Sequence, residues 1–435
     1  MSLAEQGTSA GLRALNRIAG SELIDRIGLR DLTERLVHSG TRNGFRAANV
    51  AGRRFAAAQK LASPARQKRS SGSGLFDLEP EEEQKMMIEA FGGFAAERLR
   101  PAAQQADADC AAPDELLAQS AELGIAVLGV PEELGGAVEN RSAVTSALIT
   151  EALAGGDMGL AYAALAPAAV STALGLWGDA DQQSTYLPAF TGENVPAAAL
   201  AVHEPGPLFD PFELETVARS DGGDWVLDGA KALVPRAEAA ELLLVAAATD
   251  DGPSLFLVEP STSGISVRPE PAVGLRAAAT AELRLEGVRI PAAARLGDAV
   301  DYAECIRLGR IAWAAMAVGT AQGALDFLIP YVNERKAFGE PISHRQAVAF
   351  NMSDLAIEIE GMRLATYRAA ALADSGSDFA RAAAVARQLA ATKGMKVGSD
   401  AVGLLGGHGY VKEYPVERWY RDLRAAGVIE GGLLV

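Results

Sequence analysis

A glycine-rich segment near the end of the chain, LGGHGY at 405–410, holds residues that could bind a ligand. Gly406, Gly407 and Gly409 permit positive φ angles and let another group, such as a phosphate, approach the backbone closely. The same cluster is also typical of the end of a helix followed by a turn. It follows no predicted strand and matches neither GxGxxG nor GxxxxGK[ST], so it does not predict a Rossmann or P-loop site.

A basic segment, ERKAFGEPISHRQA at 334–347, is the second candidate. Arg335 lies at the end of a predicted long helix, just before a turn that contains Gly339 and Pro341. A cation at this position complements the negative end of the helix dipole, which is a purely structural role. The alternative is that Arg335 binds the anionic part of a ligand.

A single glutamate, Glu430 in the sequence VIEGG, is the third candidate. Its neighbours are Val428, Ile429, Gly431 and Gly432. An apolar setting raises the pKa of a carboxyl group toward the range that suits a general base. Glutamates this close to the end of a chain are more often simply solvated, and the residues alone leave both interpretations open.

Composition excludes several classes of protein. The 435 residues suffice for two or three domains, and 49% hydrophobic with 22% charged residues predicts a large folded core. The net charge of −16 argues against nucleic acid as a partner, because phosphate binding needs a basic face. Two cysteines favour a reducing, cytoplasmic location. The four scattered histidines form no metal-binding motif, so no metal site is predicted.

Charge is distributed unevenly along the chain. Residues 1–72 hold 13 Lys and Arg against 5 Asp and Glu, a net charge of +8, which leaves −24 for the rest. This basic extension lacks the apolar run of a secretory signal, and its acidic residues do not suit a transit peptide. We expect a helical or solvated arm, with the polar linker 63–75, that contacts the acidic body; the alternative is peripheral contact with an anionic membrane.

The rest of the chain reads as three zones. Helical periodicity covers 76–195, short alternating strands with Gly and Pro between them cover 196–298, and long helices return over 300–435. A stretch without charge at 158–178 is long enough to cross a bilayer, but it is rich in alanine, so we predict a buried core helix broken near Pro167. The prediction is an α+β protein with a helical bundle, a β-domain and a second helical bundle.

The sequence resembles the acyl-CoA dehydrogenase family over residues 76–432, and the family's fold has this same order of zones. The two most specific matching segments are ERKAFGEPI at 334–342 and LGGHGYVKEYPVERWYRD at 405–422. Four further segments support the match: ELGIAVLGVPEELGG (122–136), YLPAFTGENVPAAALAVHEPG (186–206), WVLDGAKALV (225–234) and GLRAAATAELRLEGVRIPAAARLG (274–297).

The resemblance implies an FAD-dependent oxidation of an acyl-CoA thioester to a trans-2-enoyl-CoA, as in fatty-acid or related acyl-CoA oxidation. In the family a glutamate removes the α-proton while the β-hydride goes to flavin N5. The electrons leave to an electron-transfer flavoprotein or, in the oxidases, to oxygen. The resemblance also implies a homodimer or homotetramer.

Several residues match functional positions of the family. Glu430 stands at the position of the catalytic base, and Gly309 occupies the alternative position for it, beside Arg310, which we assign to substrate binding. Further matches imply FAD binding, partly across a dimer interface. They are Arg335, Phe338, Gln346, Gly406, Gly407 and Gly409.

The sequence departs from the family around the flavin ring. His203 replaces a threonine that contacts the flavin, and Phe209 replaces a nearby serine. Pro235, in the segment that flanks the ring, offers neither a hydroxyl nor an N–H group. We keep His203 as a cofactor-binding residue. The departures leave two alternatives to the dehydrogenase: an FAD-poor partner subunit of an active relative, or a flavin oxidase or monooxygenase on the same fold.

Overall fold

The structure is a computed structural model that describes residues 68–69, 79–136, 140–192 and 194–435. Within the N-terminal extension only the short strand β1 (Lys68–Arg69) is described, paired in parallel with β2 (Asn140–Arg141). The predictions of an arm that contacts the acidic body or a membrane therefore lie outside the described residues.

The first zone is helical. Side-chain caps begin its later helices: Ser142 accepts a hydrogen bond from the backbone N–H of Thr145, and Asp157 accepts one from that of Leu160. A π-helical segment, Ala95–Leu99, joins the first two helices. The helices are α1 (Glu82–Phe94), α2 (Arg100–Asp109), α3 (Asp114–Glu122), α4 (Ala143–Ala154), α5 (Met158–Trp177) and α6 (Ala180–Phe190).

Helix α5 is continuous through Pro167, so the predicted break is wrong. Proline removes one backbone hydrogen bond, and packing on all sides of this almost wholly buried helix offsets that loss. By length and composition alone, α5 and the later helix Ala299–Glu334 could each cross a membrane. Most of their residues are buried inside the protein, as in the core helices of a folded domain.

The second zone is one eight-stranded, mainly antiparallel sheet. Its order is β10-β7-β6-β4-β5-β9-β8, and β3 pairs in parallel with β6. The strands are β3 (Ala198–Ala201), β4 (Val217–Asp221), β5 (Asp224–Val234), β6 (Leu242–Thr249), β7 (Gly252–Val258), β8 (Ile265–Pro269), β9 (Ala281–Pro291) and β10 (Arg295–Leu296).

Strand β9 shows where a local pattern misleads. In the sequence, Ala281, Leu283 and Leu285 alternate with polar residues, which predicts a strand, and Glu286 followed by Gly287 predicts a turn. The structure shows the alternation as buried and exposed residues. The strand instead continues through Glu286 and Gly287, which together lie opposite Asp228 of β5 as a bulge. The Asp228 side chain accepts a hydrogen bond from the backbone N–H of Gly287, so the φ of +61° belongs to a bulge.

The third zone is a helical bundle, in which α7 packs against α8 and α9 and also against α4 of the first zone. In the sequence, Val348, Met352, Leu355, Ile359 and Met362 follow one another at steps of four and three, which predicts the seam of a helical bundle. Of these, Leu355, Ile359 and Met362 are buried in the structure. The fold prediction is confirmed in its order of zones. The elements are α7 (Ala299–Glu334), β11 (Lys336–Ala337), β12 (Glu340–Pro341), α8 (Gln346–Asp374), α9 (Ala380–Leu405) and α10 (Val416–Leu423).

Candidate active site

Glu430 lies in the irregular segment after α10, and its side chain is only 8% exposed. Arg310 of α7 donates from Nε to both carboxylate oxygens, at 3.1 and 3.2 Å, and from Nη2 to Oε1 at 2.9 Å. Arg387 of α9 approaches from another helix, with Nε 3.2 Å from Oε1. The glutamate is therefore a buried carboxylate between two guanidinium groups.

This geometry corrects the expected surroundings of Glu430. Sequence neighbours predict an apolar setting or a solvated side chain, whereas the carboxylate is buried and ion-paired. Arg310, assigned to substrate binding, contacts Glu430 and also lies over the Phe212 ring, 5.6 Å from its centroid. Sequence reasoning missed Arg387. The available signal was an arginine on the same face of α9 as the buried Ala383 and Ala390.

Close packing fixes the backbone beside Glu430. The indole N–H of Trp313 donates to the Gly431 carbonyl at 2.8 Å. Gly431 and Gly432 have φ angles of +72° and +79°, and a Cβ atom on them would overlap Val202 and the Tyr162 hydroxyl, respectively. The segment that carries Glu430 is thus packed against α5, α7 and the residues that follow β3.

His203 lies in those residues after β3, and it is buried. Its carbonyl accepts from the Ala232 N–H at 2.8 Å, and its ring and the Phe209 ring form a T-shaped pair with centroids 4.8 Å apart. Burial, followed by the positive charge of Arg387, lowers the pKa of His203 to about 4. The imidazole is therefore neutral at physiological pH, and its buried Nδ1 has no hydrogen-bond partner among the described residues.

A buried ion pair holds the backbone around His203. Lys231 of β5 donates to the Glu204 carboxylate at 2.7 Å and to the Val202 carbonyl at 3.2 Å. Glu204 also accepts from the backbone N–H groups of Glu215 and Thr216. These bonds fix the backbone where the end of β3 lies beside β5. The segment with His203 and Phe209 follows β3, and the segment with Pro235 follows β5.

The segment 233–235 offers few donors toward a ligand. Leu233 has a φ of +54°, and its N–H donates to Glu270 at 2.6 Å. Its carbonyl accepts from Tyr162 at 3.4 Å. Pro235 is buried and has no N–H. Pro235 is therefore not the only residue here without a free donor for a flavin. The backbone N–H of Leu233 cannot bond to a flavin either, because it is bonded to Glu270.

The other predicted cofactor-binding residues lie at the exposed ends of α7, α8 and α9. The Arg335 side chain is exposed and makes no hydrogen bond or ion pair within the described residues. Phe338 is 98% exposed at a φ of +56°, with the Arg345 guanidinium 5.8 Å from its ring centroid. Gln346, the first residue of α8, is exposed as well.

The glycine segment differs along its length. Gly406 and Gly407 are exposed, and no atom of the described residues lies within 4 Å of the position of a Cβ on them, so a ligand could approach them. Gly409 is buried, and a Cβ there would overlap the Val402 carbonyl of α9, so this glycine is required by packing. His408 ties the segment to α7, since its Nδ1 lies 3.0 Å from the Tyr331 hydroxyl.

These observations fit a flavin dinucleotide in part. The unpaired guanidinium of Arg335 and the open Gly406 and Gly407 suit a diphosphate group. The buried Nδ1 atom of His203, which has no partner among the described residues, suits a ligand with polar ring atoms. The segment 233–235 contributes least, because its donors are used or absent.

Comparison with known proteins identifies the family. Three family descriptions match in order: "Acyl-CoA dehydrogenase, N-terminal domain" over residues 81–193, "middle domain" over 199–288 and "C-terminal domain" over 301–432. The mitochondrial short-chain specific acyl-CoA dehydrogenase of Bos taurus is 35% identical over 81% of this chain and 88% of its own.

Solved structures of the same family also match this chain. Butyryl-CoA dehydrogenase from Megasphaera elsdenii matches with a TM-score of 0.76 and 28% identity, over 82% of this chain and 96% of that one. The prolyl acyl carrier protein oxidase AnaB matches with a TM-score of 0.74 and 26% identity, over 81% and 96%. The chain belongs to the acyl-CoA dehydrogenase family, whose members are flavin oxidoreductases that act on CH–CH bonds.

Proposed function

We propose that this protein is an FAD-dependent acyl-CoA dehydrogenase that converts an acyl-CoA thioester to a trans-2-enoyl-CoA. The observation that carries the proposal is the buried Glu430 carboxylate, held by Arg310 at 2.9 Å and packed against the segment that contains His203. A base for a weakly acidic α-proton needs a fixed position in a water-poor site, and Glu430 has both.

The names of two relatives support a short acyl chain. One is a short-chain specific acyl-CoA dehydrogenase, and the other is a butyryl-CoA dehydrogenase. We extend this substrate class to the present chain, with butyryl-CoA as the first substrate to test. An electron-transfer flavoprotein is the proposed electron acceptor.

In the proposed mechanism Glu430 takes the α-proton of the thioester. Arg310 orients the carboxylate and keeps it from turning away. The buried Tyr162 and Trp313, with ring centroids 5.0 Å apart, pack beneath the Glu430 segment and exclude water from it. FAD, when bound, supplies the acceptor for the β-hydride.

FAD binding is assigned to two groups of residues. Arg335 and the exposed Gly406 and Gly407 would hold the diphosphate, with Phe338 and Gln346 beside them. His203 would meet the ring system as a neutral imidazole. As the family resemblance implies, the two groups serve one cofactor from different subunits of a dimer.

A second candidate is an FAD-poor partner subunit. Phe209 packs on His203, and the donor of Leu233 is bound to Glu270, so this part of the site offers little to a flavin ring. A flavin oxidase is a third candidate, favoured by the likeness to AnaB. The flavin content of the purified protein tests the partner subunit, and hydrogen peroxide release in air tests the oxidase.

The substitution Glu430→Gln tests the assignment of the base. Gln keeps the size and most hydrogen bonds of Glu430 but cannot accept the proton. We expect anaerobic flavin reduction by butyryl-CoA, followed by stopped-flow absorbance, to slow by about 10²–10⁴-fold with FAD content unchanged.

The matched control is Glu358→Gln in α8, which removes a half-buried carboxylate paired with Lys393 at 2.6 Å. This variant should reduce its flavin at the wild-type rate. Wild-type kinetics in Glu430→Gln would mean that another group removes the proton.

A further inference from the structure

We propose that Arg387 is a positioning residue for Glu430: its charge pairs with one carboxylate oxygen and holds that oxygen in place, so that the other one takes the proton. The inference rests on the proposed function, because it concerns the same proton abstraction. Arg387 lies on α9, 43 positions before Glu430, outside every motif that marks the family in this sequence.

The two oxygens of Glu430 have different hydrogen-bond environments. Oε1 accepts two hydrogen bonds, from Arg310 Nε at 3.1 Å and Arg310 Nη2 at 2.9 Å, and Arg387 Nε lies 3.2 Å from it in an ion pair. Among the described residues, Oε2 accepts only from Arg310 Nε, at 3.2 Å. A carboxylate oxygen offers about two lone-pair sites, so Oε1 is saturated and Oε2 keeps a free one. The geometry assigns Oε2 as the basic oxygen.

The directions of approach explain why two arginines are needed. Arg310 reaches the carboxylate from α7 and Arg387 from α9, and the residue between them sits on an irregular segment. If only one guanidinium contacted the carboxylate, the carboxylate could still rotate relative to that group. Contacts from two helices fix the plane of the Glu430 carboxylate. The faces of Arg310 are also constrained, because the Phe212 ring lies against it.

Burial of the charged Arg387 side chain lowers the stability of the folded protein, and few favourable contacts offset this loss. Its side chain is 12% exposed, its charged neighbours are Glu430 and the like-charged Arg310, and burial lowers its pKa. Its Nη1 atom is buried without a hydrogen-bond partner among the described residues. An apolar residue at this position would usually serve stability as well or better. The arginine therefore points to a role in positioning Glu430.

The test compares Arg387→Met and Arg387→Lys with the control Arg381→Met, an exposed arginine six residues earlier on α9. In Arg387→Met we expect kcat for flavin reduction by butyryl-CoA to fall by about 10–10²-fold, with KM changed less than about threefold. The kinetic isotope effect with α-deuterated butyryl-CoA should rise, because proton abstraction becomes more rate-limiting. Lys should restore part of the rate, and the control should match the wild type.

A second measurement uses unfolding without substrate. If Arg387 contacts Glu430 as described, the denaturation midpoints of Arg387→Met, Glu430→Gln and the double variant will be non-additive. Wild-type rates and isotope effects in Arg387→Met, or additive midpoints, would overturn the positioning role. So would a loss of FAD and a lower melting temperature in parallel with the rate. If butyryl-CoA fails to reduce even the wild type and the control, the proposed function fails instead.

Discussion

At the scale of single residues, the position of Glu430 depends on the two glycines that follow it. Gly431 has a φ of +72°, which favours glycine, and a Cβ atom on it would overlap Val202. Both the backbone conformation and the packing therefore require glycine at this position. The left-handed conformation alone disfavours any other residue by about 1–2 kcal/mol. Overlap in a packed interior adds about 1–3 kcal/mol.

We therefore expect Gly431→Ala to lower the free energy of unfolding by about 2–5 kcal/mol and to slow flavin reduction, because the segment must shift. The control is Gly222→Ala, in the turn between β4 and β5. Gly222 has a φ of +64°, and in the part of the chain that the structure describes no atom lies within 4 Å of a Cβ position on it, so this variant measures the conformational cost alone. Thermal unfolding compares the two. Equal losses would show that Val202 does not restrain the Gly431 backbone.

At the scale of elements, a buried carboxyl group joins two of the zones. Asp422, in the last turn of α10, accepts a hydrogen bond at 2.6 Å from the backbone N–H of Leu275, which follows β8. Burial, followed by the negative charge of Asp157, raises the pKa of Asp422 from 3.8 to about 8. Asp157, the cap of α5, is paired with Arg418 at 2.9 Å.

The sign of the pH dependence follows from this shift. Between about pH 4 and pH 8 the unfolded chain has lost the proton of Asp422 while the folded protein still holds it. The unfolded state is therefore favoured progressively as the pH rises through this window. Below about pH 4 the group is protonated in both states and contributes no such dependence.

We predict that Asp422→Asn flattens this dependence. Asn cannot ionise, and its side-chain oxygen still accepts from Leu275. Melting temperatures at pH 5 and pH 8 should differ less in the variant than in the wild type, with the largest gain in stability at pH 8. Asp326→Asn, at an exposed position of α7, serves as the control. If both variants retain the wild-type difference between pH 5 and pH 8, Asp422 does not titrate as described.

Sequence reasoning succeeded where pattern reflects burial. The alternation of β9 and the seam of α8 both appear in the structure, because periodic burial leaves a periodic sequence. It failed at Pro167 and at Gly287, where residues that usually end an element lie inside one. In both cases contacts with neighbouring elements keep the element continuous through a residue that would otherwise end it. Those contacts depend on the tertiary structure, so the local sequence does not show them.

At the scale of the whole molecule, α8 carries an exposed apolar stripe. Phe350, Ile357 and Leu364 lie seven residues apart, and Ile357 is 68% exposed. Residues at this spacing share one face of a helix. Arg335, at the end of α7, has a side chain without a partner among the described residues. Together with the stripe it supports the homodimer or homotetramer that the family resemblance implies, and we predict an isologous interface through the C-terminal bundle.

We expect the wild type to sediment as the predicted dimer or tetramer at about 1–10 μM, and Ile357→Glu to sediment as a monomer with less FAD, since the cofactor is assigned to both subunits. Burying a charge at a self-complementary interface places two like charges together. The control is Met86→Glu on α1, another exposed apolar position. A dimer that retains its FAD in Ile357→Glu would place the interface elsewhere.

The candidate site as a whole was only partly predictable. The match of motifs located Glu430 and Arg335 in the sequence, but it could not place Arg310 and Arg387 on the same carboxylate. Arg310 lies 120 positions from Glu430 in sequence, and the two meet because α7 passes beneath the segment after α10. Arg387 lies in no family motif. Its position on the buried face of α9 was the one feature of the sequence that could have indicated a role.

The visible spectrum of the purified protein during anaerobic addition of butyryl-CoA is the sharpest test of the proposed dehydrogenase activity. We expect about one FAD per chain, with an absorption band at about 450 nm that bleaches on addition of the thioester as trans-2-butenoyl-CoA forms. A protein that folds and assembles but carries no flavin, or whose flavin band persists in excess butyryl-CoA, would contradict it.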